Sequence, residues 1–320
     1  MARFLVAAVF LFWICPSSGG AEPLSDPFPQ EAAAYWISVD GEPRWARHAD
    51  RSLPPASLTK LMTALLVLEH GQLQQVVSIS AAAANETGSR LGLQAGLKMR
   101  AAELLAAMVL KSANDACHAL AEQVGASEQN FVDLMNRRAR ALGLQDTHFT
   151  NACGHDHPKH RSSARDLARL AEFVLQRPEF ARLVAQVEMT LTDASTRRRY
   201  AIANGNELVG RYPGAIGVKT GFTRQAGKCV IALVERDKRR VLLVLLNAPE
   251  RWWTATAMLD RALVKTSRSE PASLRSKQSP FTIAPSPAGG GGLGRGIPLG
   301  REQGERETGM PVEQVRPIAK

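Results

Sequence analysis

The stretch GKCVIALVE at 227–235, followed after RDKR by RVLLVLL at 240–246, sets the architecture. Both runs are apolar without regular polar alternation, which reads as two successive strands buried on both faces and so central in a sheet. Just upstream, Gly217 to Thr220 reads as another strand, and downstream Trp253 to Val264 reads as a helix laid over the sheet. At the other end of the chain, Ala33 to Val39 and Arg44 to Arg47, separated by Asp40, Gly41 and Glu42, read as a β-hairpin. Between these strand-rich ends the pattern is helical. A helix starts at Ser57 after the Pro54-Pro55 break and ends near His70 and Gly71; others follow over Ala101 to Leu110, Asp115 to Val124, Glu128 to Leu142 and Ala164 to Leu175. The expectation is an α/β (α+β) domain whose sheet draws on both chain ends, with a helical subdomain inserted between them.

The flanks read differently. Met1 to Arg3 is positively charged, Phe4 to Ile14 is an apolar run, and Gly19-Gly20-Ala21 precedes Glu22, which together read as a secretory signal over 1–21. The run is too short to span a bilayer, which takes about 20 residues per helix. Residues 266–320 contain 9 Gly and 7 Pro, a composition that builds no second core and reads as a disordered tail. The folded domain is therefore expected over 22–265. The net charge of +10 favours polyanionic surroundings without naming one. After signal removal Cys117, Cys153 and Cys229 remain, enough for at most one bridge and not a disulfide scaffold. His155, His157 and His160 lie beside Cys153, but Lys159 and Arg161 oppose a cation there, and the stretch reads as a polar surface loop with no metal.

Three short motifs carry the chemistry: Ser57-Leu58-Thr59-Lys60, Ser112-Ala113-Asn114 and Lys219-Thr220-Gly221. In the first, the i to i+3 spacing on a helix puts the lysine amine on the same face as the serine hydroxyl. A serine needs a base to take its proton, and a lysine serves only if burial and a nearby positive charge lower its pKa from about 10.4. Lys219 is the candidate for that second charge. The second motif falls at a break between two helices, and the third ends a strand.

In this order and spacing the motifs resemble the penicillin-recognising serine hydrolases. Pro55 to Gly71, Leu110 to Leu120, Phe131 to Asn151, Ser162 to Ala168 and Gly217 to Cys229 resemble, more closely, the low-molecular-mass D-alanyl-D-alanine carboxypeptidases, over roughly Glu31 to Lys265. The resemblance implies a β-lactamase/penicillin-binding transpeptidase-like fold with an antiparallel sheet. It also implies roles: Ser57 as acylated nucleophile, Lys60 as general base, Ser112 as proton relay, and Asn114 as holder of the substrate amide. Lys219 and Thr220 would meet the terminal carboxylate, Gly221 completes their motif, and the amides of Ser57 and Phe222 would form the oxyanion hole. Arg251 stands near an arginine that some members use for the same carboxylate; by itself it reads as a solvated residue before the last helix.

The resemblance further implies peptidoglycan stem peptides as substrates, β-lactams as inhibitors, and no cofactor, nucleic acid or obligate protein partner. The location expected is the periplasm, with at most peripheral association with the inner membrane. Two departures stand out: Cys153 replaces a histidine common before Gly154, and Arg161 replaces an aromatic before Ser162. The alternatives are a D,D-endopeptidase that cleaves cross-links and a non-catalytic peptidoglycan-binding protein.

Overall fold

The structure, a computed structural model, describes residues 25–264; the expected signal over 1–21 and tail over 266–320 lie outside them. Strands β1 (Ala34–Val39) and β2 (Glu42–Arg47) form the opening hairpin. Asp40 and Gly41 at its turn both have positive φ, the conformation that matches a tight hairpin to the twist of its strands. At the other end of the chain β7 (Ala215–Thr223), β8 (Gly227–Arg236) and β9 (Arg239–Leu246) run antiparallel. Pairing of Ala34 with Leu246 through Val39 with Val241 joins the two groups into one five-stranded sheet in the order β2-β1-β9-β8-β7. The sheet is thus built from both chain ends, as expected, and β7 is an edge.

The absence of polar alternation in β8 and β9 has a direct cause, since both faces of the sheet are covered. Val230, Ala232, Val234, Val241, Leu243 and Leu245 pack with α8 (Arg251–Leu263), while Ile231, Leu233, Leu242, Val244 and Leu246 belong to the core shared with the helical lobe. That lobe is built around α1 (Lys60–His70), buried from Lys60 through Val67, which is why its sequence is apolar on nearly every side. Around it lie α3 (Ala101–Leu110), α4 (Asn114–Gly125), α5 (Glu128–Ala141) and α6 (Ala164–Leu175). Ser127 and Ser163 cap α5 and α6 by accepting from the amides of Asn130 and Asp166.

Several short elements had no sequence period to reveal them. These are the paired β3 (Val76–Ser78) and β4 (Lys98–Arg100), the single turn α2 (Ala81–Ala84), α7 (Pro178–Val184), and the hairpin of β5 (Glu188–Thr192) and β6 (Arg199–Ala203). The expected helix from Ser57 is also corrected: Ala56–Thr59 is a 3-10 turn, and the α-helix begins at Lys60. Among the described residues, no helix is long and apolar enough to cross a membrane.

Candidate active site

The 3-10 turn carrying Ser57 is held from three sides. Ala56 enters it with φ +49 and is tied down when Thr59 Oγ1 donates to its carbonyl at 2.8 Å. Thr59 in turn meets His160 Nε2 at 2.7 Å, and His160 Nδ1 accepts from the Thr150 amide at 3.0 Å. With Nδ1 accepting, the ring proton sits on Nε2, so a neutral imidazole links the 150–160 loop to the turn. His160 is therefore not part of a polar surface loop, as the sequence suggested; it is buried, and burial pushes its pKa down to about 4. The second contact is Gly154, where φ is +88 and an added Cβ would lie 2.0 Å from the Ala56 carbonyl oxygen. The third is the edge strand, where a Cβ on Gly221 would come within 3.1 Å of the Ser57 nitrogen.

Lys60 sits one residue beyond this turn, and its amine is fully surrounded. Nζ is 3.0 Å from Ser57 Oγ, 2.7 Å from Asn114 Oδ1 and 2.6 Å from the Cys153 carbonyl oxygen. A neutral amine has two N–H groups and one lone pair. When Lys60 is neutral the two carbonyl oxygens take the N–H groups and the lone pair faces the serine hydroxyl; when it is protonated, Nζ donates to Ser57 Oγ as well. Burial holds the Lys60 pKa well below its usual value, and the charge on Lys219 lowers it further. Lys219, also buried, donates to the Thr220 carbonyl at 2.9 Å; burial, with Arg251 adding to it, lowers its pKa to about 7.

A cleft of about 430 Å³ opens over this group. Ser57, Ser112, Asn114, Thr220, Gly221, Phe222 and Arg251 line it, while Lys60 and Lys219 lie buried beneath. Ser112 has φ +63 at the break between α3 and α4. Asn114 is more constrained than the sequence implied, because besides meeting Lys60 its Nδ2 donates to the Thr87 carbonyl at 2.5 Å. The Phe222 side chain is exposed at the rim. Arg251 is not solvated: it is half-buried, stacks on Trp252, and donates from one nitrogen to the carbonyls of Gly221 and Cys229, each at 3.1 Å. A groove of similar volume lies between α6 and the sheet. Its Arg165 and Arg240 are paired with Asp50 and Glu172, so they are engaged in structure rather than free for chemistry.

Sequence reading singled out Cys153 before Gly154 as a departure from the family pattern but missed how the segment 151–156 is held. Asn151 Oδ1 accepts from the amides of Cys153, Gly154 and His155, a side-chain turn whose signal is an asparagine followed closely by glycine. Cys153 enters the site through its carbonyl and is bonded to Cys117, the one bridge the cysteine count allowed. His155 pairs with Glu86, and Asp156 ties the segment to the edge strand by accepting from Thr223.

A serine and a buried lysine at the seam between an edge strand and a helical lobe, on a sheet drawn from both chain ends, define a DD-peptidase fold, and solved structures agree. The Streptomyces K15 DD-transpeptidase matches with a TM-score of 0.70 at 28% identity, over 75% of this chain and 99% of that one. The D-alanyl-D-alanine carboxypeptidase DacD of Francisella tularensis matches with a TM-score of 0.67 at 26% identity, over 78% of this chain and 76% of that one. By sequence, the D-alanyl-D-alanine carboxypeptidase DacF of Bacillus subtilis is 35% identical over 81% of this chain and 69% of its own length. DacB2 of Mycobacterium tuberculosis, of the same description, is 32% identical over 74% and 84%. The family profile described as D-alanyl-D-alanine carboxypeptidase, Peptidase_S11, matches residues 25–250, and the chain belongs to that family.

Proposed function

We propose that the protein is a serine-type D-alanyl-D-alanine carboxypeptidase that removes the terminal D-alanine from peptidoglycan stem peptides. The observation that carries this reading is the Lys60 amine, held by two carbonyl oxygens with its remaining position toward Ser57 Oγ. In the first step Lys60 takes the Ser57 proton as Oγ attacks the carbonyl of the penultimate D-alanine. The proton passes to the departing amine, with Ser112 as relay, and free D-alanine leaves an ester on Ser57. Water activated by the same lysine then hydrolyses the ester.

Lys219, Thr220 and Arg251 supply positive charge and a hydroxyl for the terminal carboxylate, while the amides of Ser57 and Phe222 face the developing oxyanion. An edge strand has unpaired backbone groups, so an extended peptide can lie along β7. A β-lactam, whose carbonyl and carboxylate imitate the substrate, acylates the same serine. The location we infer is the periplasm, reached through the signal at 1–21. The test is D-alanine release from a pentapeptide ending in D-alanyl-D-alanine. Wild-type release that disappears in Ser57→Ala supports the reading; equal release by both sinks it. Product analysis on cross-linked muropeptides separates it from the endopeptidase alternative.

A further inference from the structure

The amine of Lys60 is aimed by two oxygens from separate parts of the chain. Asn114 Oδ1 comes from the first turn of α4, and the Cys153 carbonyl from the 151–156 segment. Cys117 stands one helical turn after Asn114 on α4, and its sulfur is bonded to that of Cys153, with a Cα–Cα distance of 5.9 Å. Both cysteines are buried, so the bridge lies inside the wall of the cleft rather than on the surface.

We propose that the Cys117–Cys153 bond is a positioning element of the active site, covalently joining the two acceptors that direct Lys60 toward Ser57. This rests on the catalytic reading above and extends it to a pair of buried cysteines.

Other ties hold the neighbouring residue. Thr63 Oγ1 donates to the Ala152 carbonyl at 2.6 Å, and Glu128 accepts from the Ala152 amide at 3.0 Å. Losing the bridge therefore leaves the segment attached at Ala152 and through the Asn151 turn, while removing the covalent tie that fixes the Cys153 carbonyl to α4. Small displacements of a reacting group are expensive, since a misplacement of about 1 Å costs on the order of a hundredfold in rate.

The pH profile distinguishes positioning from general stabilisation. Lys60 faces the positive Lys219 on β7, and the negative Glu86 and Asp115 act on it from the α2–α4 side. Glu86 is itself paired with His118 and His155. Burial is the largest cause of the low Lys60 pKa, so admitting water beside a loosened carbonyl raises it, and the acid limb of acylation moves to higher pH. A loss of stability alone lowers the active fraction at every pH and leaves the limb in place.

The experiment measures penicillin acylation of the oxidised full chain, of Cys117→Ala and of Cys117→Ala/Cys153→Ala across pH, beside their melting temperatures. The expected result is a rate at neutral pH about ten- to a hundredfold lower in both variants, with the acid limb shifted upward and the deficit relative to the oxidised wild type narrowing as pH rises. If the variants do not fold, the folded wild type is reduced by a dithiol and measured in the same way. The dithiol gives two electrons and two protons, leaving Cys117 and Cys153 as thiols and itself as a cyclic disulfide. Variants or reduced protein with the oxidised protein's rate and limb overturn the role of the bridge alone. Wild type that takes no penicillin on Ser57 overturns the catalytic reading and this inference with it.

Discussion

His160 is hydrogen-bonded directly to Thr59 in the nucleophile's turn, and its burial makes it a reporter of acid stability. Its pKa falls from 6.5 when free to about 4 when folded, so the unfolded chain takes up the proton first. Stability conferred by the neutral ring is complete above about pH 6.5 and is lost as pH falls toward 4. The loss amounts to roughly 3 kcal/mol by that linkage. Urea unfolding at a series of pH values checks this: His160→Ala is expected to be less stable at pH 8 and to show a shallower acid slope. Lys219 titrates in the opposite role. In the empty site it loses its charge as pH rises through about 7; on the proposed reading carboxylate binding weakens there, while Lys60 acts only when neutral. The expected kcat/KM profile is a bell whose limbs belong to the coupled pair. Arg251→Ala removes a positive neighbour of Lys219, which is expected to move the alkaline limb to higher pH and, on the proposed reading of the site, to raise KM.

Among the elements, the 3-10 turn matters most, because it is pressed between two glycines from distant parts of the chain. Gly154→Ala combines an unfavourable positive φ with a Cβ overlapping the Ala56 backbone, which has no flexible end to give way. The expected cost is more than about 2 kcal/mol, with acylation nearly abolished. A thermal melt and a penicillin-labelling assay check the two parts separately. The long elements were legible in the sequence because their periods are set by burial: α6 has one apolar face, whereas β8 and β9 have two. The pairs β3–β4 and β5–β6 were not legible. In three-residue strands such as Val76–Ser78 only the middle residue is buried, too little to give a pattern.

The whole domain depends on its first and last strands meeting. The β1–β9 pairing, the bidentate ion pair of Arg240 with Glu172 on α6, and α8 on the opposite face bring both layers and the cleft within residues 25–264. A fragment of those residues is expected to fold and to be acylated on Ser57 at the full chain's rate; circular dichroism and labelling side by side check this. A fragment that fails to fold would show that stability depends on residues beyond them.

The sequence by itself determined the order of the long strands and helices, the sheet drawn from both chain ends, and the residues Ser57, Lys60, Ser112, Asn114 and Lys219 as a group. The elements follow from local period, which a chain displays before it folds, and the grouping of the five residues from the resemblance of their three motifs to a known family. Only the tertiary structure decided what surrounds them: the carbonyl of Cys153 on Lys60, the buried His160 beneath the turn, the two carbonyl acceptors of Arg251, and which cysteines bond. Each joins groups far apart in sequence, and backbone carbonyls leave no mark on residue identity. Their roles exist only once packing has brought them within hydrogen-bonding distance and excluded the water that would otherwise compete.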